Sequence, residues 1–258
     1  MTAFGTRLET AVALATEAGR MAMRLRPPPG AAVATLKGAQ DWLTESDGAV
    51  EKFLSEQLEK AFPGDGFQGE ETGNARAGGL RWVADPIDGT SNYARGSTRF
   101  CVSLGLLEGD IPVIGVIVAP ALGEIFVARR GGGATLNGAP IRVAETAAIG
   151  NAIVELGWSH RRPTASFHAM CARVMATGAV LRHGGSGALG LADVAAGRTD
   201  AYAELHINLW DVAAGMAILH EAGAYISPFM ESGGGTEGAA ILAATPVLAA
   251  ALRAATEI

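Results

Sequence analysis

The stretch WVADPIDGT at residues 82–90 decides the fold of the chain around it. Its apolar start predicts a β-strand that delivers Asp85 at its carboxyl end. Pro86 fixes its own φ angle and has no N–H to donate, so we expect the chain to leave the sheet there. The stretch therefore predicts a buried strand that ends in a carboxylate.

The second part of this stretch places another carboxylate on a tight turn. Asp88 is followed by Gly89, which permits a close backbone approach, and Thr90 opens a predicted short helix. Two carboxylates beside the free N–H groups of a helix start could hold hard cations and an anion together. A β-turn in which an Asp caps the helix is the alternative, because Asp commonly has that role.

The apolar pattern before residue 145 predicts helices followed by an antiparallel sheet. Apolar residues three or four positions apart predict a helix over 3–25, and a second helix follows that buries Val50, Phe53, Leu54, Leu58 and Ala61. Turn residues separate the apolar runs that follow, which predicts a meander of antiparallel strands. These runs are 100–107, 111–118 and 124–128.

Beyond residue 146 the predicted strands mostly alternate with predicted helices. The strands are 152–156, 179–182, 200–203, 224–227 and 239–242, and the helices are 164–177, 188–196, 210–222 and 246–255. The fold class is therefore α/β, with an α+β lobe carrying an antiparallel sheet at 1–145 and an α/β lobe at 146–258. We expect the two lobes to pack closely, because no Pro- or Ser-rich linker separates them.

Composition excludes several classes of protein. The chain of 258 residues carries 26 acidic residues against 20 Lys and Arg, so it lacks the basic footprint of a nucleic-acid-binding protein. No apolar stretch reaches the ~18 residues of a membrane span. Two cysteines, Cys101 and Cys171, cannot form a disulfide framework or a zinc site. We expect a cytoplasmic protein that acts on neither nucleic acid nor membrane.

Further acidic residues occur in two motifs remote from the central stretch. Glu70 lies in GEE at 69–71, and Asp211 lies in WDVAAG at 210–215. Taken alone, Glu70 could be a solvated loop charge and Asp211 an ordinary helix cap. If these acids met Asp85 and Asp88 in space, their mutual repulsion would raise their pKa values and destabilise the fold unless cations were bound.

The order and spacing of these motifs resemble the inositol monophosphatase family over most of the chain, from about residue 4 to 250. The resemblance rests on GEE at 69–71, DPIDGT at 85–90 and WDVAAG at 210–215, preceded by Lys37, Asp41 and Asp47. It implies a layered αβαβα sandwich and a lithium-sensitive, Mg²⁺-dependent phosphomonoesterase that is commonly a homodimer. Its substrate would be a small phosphate ester.

The resemblance also implies a ligand set for two Mg²⁺ ions. Glu70, Asp85 and the backbone carbonyl of Ile87 would hold one ion. Asp85, Asp88 and Asp211 would hold the second, with Asp85 bridging. Every ligand is an oxygen atom, which suits Mg²⁺ better than zinc.

Catalytic roles follow from the same resemblance. The Gly89 and Thr90 amides would bind the phosphate, while Thr90, oriented by Asp47, would help activate the attacking water, with Glu70 as a further catalytic residue. Lys37 and Asp41 would belong to a mobile loop that closes over the site and helps to recruit a third, weaker Mg²⁺.

Substrate contacts implied by the resemblance are Asp88, Gly187, Glu204 and Asp211. Glu204 matches a residue that contacts inositol hydroxyls, which favours an inositol monophosphate; a strand-end surface charge is the alternative. Gly187 falls where the family often has Ala. Histidinol phosphate is the main alternative substrate.

Two alternative functions come from other classes. Residues 185–190 read GSGALG, a literal dinucleotide-binding pattern after a predicted strand, which would suit an NAD-dependent oxidoreductase. That hypothesis leaves DPIDGT unexplained. A regulator without catalytic activity is the other alternative, although such a protein would be expected to lack one of the acids or Thr90.

Overall fold

The structure is a computed structural model that describes the backbone of residues 3–28, 35–38, 41–43 and 45–258. It describes the side chains in these ranges, except at residues 3, 35–38, 41–43, 74 and 75. The helices in these ranges are α1 (Ala3–Leu25), α2 (Glu45–Ala61), α3 (Thr90–Ala94), α4 (Thr164–Ala176), α5 (Gly187–Ala195), α6 (Leu209–Glu221) and α7 (Ala249–Thr256). The strands are β1 (Thr35–Gly38), β2 (Asp41–Leu43), β3 (Gly66–Gly69), β4 (Gly73–Arg76), β5 (Leu80–Asp88), β6 (Cys101–Glu108), β7 (Ile111–Ala119), β8 (Glu124–Arg129), β9 (Ala134–Leu136), β10 (Ala139–Ile141), β11 (Ile153–Leu156), β12 (Val180–Arg182), β13 (Ala201–Ile207), β14 (Tyr225–Ile226) and β15 (Ala239–Ala244).

An eight-stranded sheet forms from the first part of the chain. Its strand order is β10-β9-β8-β7-β6-β5-β3-β4. The predicted meander is confirmed as β6, β7 and β8, which pair antiparallel in succession. Helices α1 and α2 cover one face of this sheet with a stripe of buried alanines and leucines. Ala61, predicted to be buried, is instead exposed, because it ends α2.

Helices α5 and α6 pack against the opposite face of the same sheet. The backbone of α6 lies so close to β6 and β7 that a Cβ atom on Gly105 would be 2.9 Å from Ala213, and one on Gly115 would be 2.2 Å from the Ala214 carbonyl oxygen. Side chains would hold the helix away from the sheet at these positions. The two glycines therefore permit a short helix-to-sheet distance behind the site.

A five-stranded sheet forms the next layer, with the order β12-β11-β13-β15-β14. β11 pairs parallel with both β12 and β13, whereas β15 pairs antiparallel with β13 and β14. Helices α4 and α7 pack together and cover its outer face. The layers thus alternate as helices, sheet, helices, sheet and helices, which confirms the expected αβαβα sandwich.

The prediction that the chain leaves the sheet at Pro86 is wrong. β5 continues to Asp88, which pairs with Cys101, and the register shifts between Asp85 and Asp88. Pro86, which has no N–H for the ladder, lies within this irregularity, where a missing ladder hydrogen bond costs little. The irregularity keeps both carboxylates on one strand instead of placing them on a turn outside the sheet.

Several short strands escape prediction because each has only three or four residues. β4, β9 and β10 are of this kind, and too few apolar residues alternate in them to form a recognisable pattern. The last helix, predicted over 246–255, is a 3₁₀ turn at Pro246–Leu248 followed by α7. Within the described ranges, no helix is both long and apolar enough to cross a membrane.

Candidate active site

Three of the predicted acidic ligands meet where β5 faces the start of α6. Asp85, Asp88 and Asp211 each offer a carboxylate oxygen, and these oxygens lie within 4.8 Å of one another. Asp85 and Asp88 are 2% and 7% exposed. Three acids this close, with Asp85 and Asp88 buried and Asp211 half-buried, form a strongly negative site.

The electrostatics of the cluster favour a bound cation. Burial raises the pKa of Asp85 well above its usual range, and the negative charges of Glu70, Asp88 and Asp211 raise it further. Burial and the charge of Asp88 raise the pKa of Asp211 to about 7. A divalent cation bound among the carboxylates would offset their mutual repulsion, and an all-oxygen donor set suits Mg²⁺. The residues present therefore fit the expected metal.

Asp88 is held in place by the start of α5. Ser186 donates its hydroxyl to Asp88 Oδ2, the Ala188 amide donates to the same oxygen at 2.8 Å, and the Gly187 amide donates to Oδ1 at 3.1 Å. These donors oppose the effect of burial, which raises the pKa of Asp88. Ser186 was not predicted as a site residue. Its one sequence signal is its position as a Ser immediately before an apolar helix.

Asp211 and Asp85 are oriented by local backbone groups. Asp211 is the third residue of α6 and accepts a hydrogen bond from the Asn208 amide at 2.9 Å, which completes a capping box. Asp85 Oδ1 accepts from the Ile87 amide at 2.9 Å. The sequence alternative of Asp211 as an ordinary N-cap is wrong, because Asn208 has that position; Asp211 closes the capping box from inside the helix and also joins the acidic cluster.

Glu70 lies in the turn after β3, and a buried acid from α2 holds this turn. Glu51, 1% exposed, accepts from the amides of Glu71 and Thr72 at 2.8 and 2.9 Å. The Glu70 amide donates to Ala84 on β5 at 3.2 Å. Glu51 was missed because the apolar pattern of its helix gives no sign that an acid is buried there.

Thr90 begins α3 and contacts two of the predicted residues. Its hydroxyl lies 2.9 Å from the Ile87 carbonyl oxygen and 3.3 Å from Asp47 Oδ1. Gly89 precedes it with a φ of 87°, a left-handed conformation that favours glycine. The turn also needs glycine for space, since a Cβ at Gly89 would be 3.0 Å from the Arg99 carbonyl oxygen.

A cavity of about 340 Å³ opens beside the acidic cluster. Most of the predicted site residues line it: Glu70, Asp88, Gly89, Thr90, Gly187, Glu204 and Asp211. Asp47, Asp85 and Ile87 are not part of its lining. The volume lies within the ~300–1,000 Å³ range of small-molecule sites.

The cavity wall at Glu204 depends on close packing around Tyr202. The Tyr202 hydroxyl donates to Glu204 Oε2 at 2.5 Å, and both side chains are buried. Burial raises the pKa of Glu204 to about 8, although the Tyr202 hydrogen bond opposes this shift. A Cβ at Gly157 would lie 2.1 Å from Glu204 Oε2, so this glycine leaves room for the pair. Glu204 is therefore a buried cavity residue and not a strand-end surface charge.

Lys37 and Asp41 lie in the β1–β2 hairpin. Their side chains lie outside the described part of the chain, so their predicted role in a mobile loop stays a prediction.

Comparison with known proteins decides the family. A model described as the inositol monophosphatase family matches residues 6–258. The chain belongs to this family. Membership of this family supports the prediction that the protein is a phosphatase, an enzyme that hydrolyses phosphoric monoesters.

Individual members of the inositol monophosphatase family resemble the chain over most of its length. An inositol-1-monophosphatase of Rhizobium meliloti (strain 1021) is 37% identical over 224 residues, 85% of this chain and 84% of the relative. A protein named Nus factor SuhB, from Xylella fastidiosa (strain Temecula1), is 42% identical over 195 residues, 75% of this chain and 71% of the relative. An inositol monophosphatase structure from Anabaena (Nostoc) sp. PCC 7120 superposes with a TM-score of 0.86 at 31% identity and covers 99% of this chain and 97% of that one.

Neither the family assignment nor the geometry favours the dinucleotide-binding alternative. Ser186 and the amides of Gly187 and Ala188 lie in the GSGALG stretch, at the helix start where such a fold would bind a pyrophosphate. Here these donors bind the carboxylate of Asp88. A negatively charged side chain thus occupies the position that the phosphates would need.

Proposed function

We propose that this protein is a Mg²⁺-dependent phosphomonoesterase that hydrolyses a small polyol monophosphate, most directly an inositol monophosphate. The observation that carries the proposal is the largely buried, oxygen-only cluster of Asp85, Asp88 and Asp211 beside the cavity. Glu70, Asp85 and the Ile87 carbonyl would hold one ion and the three aspartates a second. Lys37 and Asp41 would help to recruit a third.

When bound, the cations supply Lewis-acid polarisation of the phosphate and lower the pKa of water. The amides of Gly89 and Thr90 would donate to the phosphate oxygens. Thr90 would accept a proton from the attacking water while its own hydroxyl proton passes to Asp47, 3.3 Å away. Glu70 would share in orienting this water. The water oxygen bonds to phosphorus, the ester P–O bond breaks, and the leaving alkoxide takes up a proton from solvent, to which Asp47 returns the proton that it accepted.

Substrate binding would use side chains that line the cavity. Glu204 and Asp211 would accept hydrogen bonds from polyol hydroxyls. The Gly187 position would set the space left for the ring, with Asp88 as a further contact. Histidinol phosphate, the alternative substrate, has an ammonium group and an imidazole in place of these hydroxyls, so N–H groups would donate to the same acceptors.

The proposal includes four properties beyond the reaction itself. Li⁺ would inhibit by displacing a Mg²⁺, and the protein would be a homodimer, as the family resemblance implies. A cytoplasmic location is supported by the free cysteines Cys101 and Cys171, which suit a reducing compartment. The division into lobes at 1–145 and 146–258 would place the cavity between them.

A panel of phosphate esters assayed for phosphate release tests this proposal. We expect Mg²⁺-dependent release, fastest from inositol 1-phosphate, slower from histidinol phosphate, and inhibited by millimolar Li⁺. Asp211→Asn should abolish release while retaining the fold, because its amide oxygen can still accept from Asn208. Asp88→Asn separates charge from structure less well, because backbone amides donate to both Asp88 oxygens and one of them would face the new NH₂ group. Absence of release from every ester would refute the proposal.

A further inference from the structure

Glu204, which would accept hydrogen bonds from a polyol, is oriented by a tyrosine two residues earlier on β13. Side chains two apart on a strand lie on the same face, and the Tyr202 hydroxyl donates to Glu204 Oε2 at 2.5 Å. Among the residues that the structure describes, no other group donates to this carboxylate, and Oε1 has no hydrogen bond. Because Glu204 lines the cavity, Oε1 is the oxygen left for a ligand.

The Tyr202 ring is enclosed by backbone at three glycines. A Cβ atom would lie 2.3 Å from the Tyr202 hydroxyl oxygen at Gly157 and 3.3 Å from it at Gly187, and a Cβ at Gly190 would lie 2.3 Å from Cδ2 of the ring. Gly157 follows β11, and its amide donates to the Ala203 carbonyl on β13 at 2.9 Å. The other two glycines belong to α5. Backbone from two elements thus packs against a ring that is 2% exposed, so the hydroxyl has a fixed position.

A fixed donor reduces what the substrate must do to use Glu204. A glutamate side chain has several rotatable bonds, and a ligand that needs one orientation must otherwise order them on binding. The hydrogen bond from Tyr202 orders them in advance, and its length is typical of a hydroxyl that donates to an ionised carboxylate. The same bond opposes the rise in the pKa of Glu204 that burial causes, so it favours the carboxylate form.

We infer that Tyr202 is a positioning residue for the substrate, because its hydroxyl holds the Glu204 carboxylate so that Oε1 accepts from a polyol hydroxyl. This inference rests on the proposed function and deepens it. It identifies the pair of side chains through which the site distinguishes a polyol ester from an ester without hydroxyls. Tyr202 acts through Glu204, so its contribution should be absent where the substrate has no hydroxyl to donate.

Two esters of the same six-membered ring separate hydroxyl recognition from shape. They are inositol 1-phosphate and cyclohexyl phosphate, which has no ring hydroxyls. We expect wild type to have the higher kcat/KM for inositol 1-phosphate. Tyr202→Phe keeps the ring and removes the donor, so it should lower the ratio of the two kcat/KM values by ~3–10-fold, the effect of one hydrogen bond. The loss should fall mainly on KM for inositol 1-phosphate, since the hydrogen bond to the polyol is already made before the reaction.

The matched control is Tyr225→Phe. It removes a hydroxyl from β14 of the same sheet, outside the cavity lining, and should leave the ratio unchanged. A variant that merely lowers the amount of folded enzyme reduces both kcat/KM values equally, and this effect cancels in the ratio.

A double-variant cycle separates positioning from other roles of the tyrosine. Glu204→Leu removes the carboxylate at similar size and should lower the ratio. Adding Tyr202→Phe should then cause no further loss, because no carboxylate is left to orient. An unchanged ratio in Tyr202→Phe alone, or a further loss of the same size in the Glu204→Leu background, would overturn the inference while the proposed function stands.

Binding gives a second readout that does not depend on turnover. Calorimetric titration with the same two esters should show tighter binding of inositol 1-phosphate by wild type, a difference that Tyr202→Phe reduces. If neither ester is hydrolysed but this reduction is present, the proposed function fails and the role of Tyr202 in polyol binding stands. If wild type binds both esters alike, or binds neither, the inference is refuted.

Discussion

The Asp88 carboxylate accepts a hydrogen bond from the Ala188 amide at 2.8 Å, across 100 residues of sequence. Asp88 ends β5 in the eight-stranded sheet, and Ala188 lies in the first turn of α5. Because negative charge is favourable at a helix N-terminus, α5 stabilises one of the predicted metal ligands. The same contact connects the sheet that carries the acids to the helix that borders the substrate cavity.

Ser186→Ala tests this connection. The variant removes the hydroxyl donor to Asp88 and the cap that accepts from the Leu189 amide. Loss of a partner for a buried carboxylate costs ~1–3 kcal/mol, so we expect the free energy of unfolding to fall by that amount. Urea denaturation without metal measures it. Ser232→Ala is the control and should change little, because Ser232 is exposed and its hydroxyl donates to the Pro228 carbonyl four residues earlier.

Stability without metal should depend on pH in a direction unusual for aspartates. The pKa of Asp211 is raised to about 7, against ~3.9 in an unfolded chain. Between these values the folded state binds more protons than the unfolded state, so its stability falls as pH rises. We expect protein in EDTA to be more stable at pH 5 than at pH 7.5, and Mg²⁺ to stabilise it more at the higher pH.

Asp211→Asn isolates the contribution of this carboxylate. Without metal, the variant should be more stable than wild type at pH 7.5, and the difference should shrink at pH 5, where Asp211 is protonated. Thermal unfolding at both pH values measures this. A variant that is equally destabilised at both would show that Asp211 acts through its hydrogen bond to Asn208 and not through its charge.

The sequence predicted the residues of the site better than the interactions that orient them. Asp85, Asp88 and Asp211 lie in short motifs, and the structure brings their carboxylates together. Glu51 and Ser186 were missed because their partners lie 20 and 98 residues away, and no local pattern shows such a pairing. Helices with a continuous apolar stripe and the short strand β12 were predictable, whereas β4, β9 and β10 were not.

Two glycines of α5 should respond differently to substitution. A Cβ at Gly190 would lie 2.3 Å from the buried Tyr202 ring, which has no room to move, so Gly190→Ala should destabilise by ~1–3 kcal/mol. A Cβ at Gly187 would lie 2.7 Å from Cδ1, the far end of the Ile207 side chain, where a small change in one side-chain torsion relieves the contact. Gly187→Ala should therefore cost less than ~1 kcal/mol.

Gly187→Ala also tests Gly187 as a determinant of substrate size. The added methyl group narrows the cavity, so Gly187→Ala should raise KM for inositol 1-phosphate and leave kcat for a small ester such as glycerol 2-phosphate nearly unchanged. Combining it with Ile207→Val, which removes the contacting methyl group, should restore part of the loss. No change in KM for either ester would exclude a role for this position in specificity.

Glu51 should matter to the metal site although it lies outside the acidic cluster. Its two carboxylate oxygens accept from the amides of Glu71 and Thr72, and these residues follow Glu70 directly. In Glu51→Gln one of these amides faces an NH₂ group and loses its acceptor. We expect a loss of ~1–3 kcal/mol in the free energy of unfolding, and weaker Mg²⁺ activation because Glu70 is no longer held.

Glu56→Gln is the matched control, since Glu56 lies on the same helix with its side chain 51% exposed. Its effect should stay within ~0.5 kcal/mol. Equal effects of the two variants, measured by urea denaturation and Mg²⁺ titration of phosphate release, would mean that the Glu70 turn does not depend on Glu51.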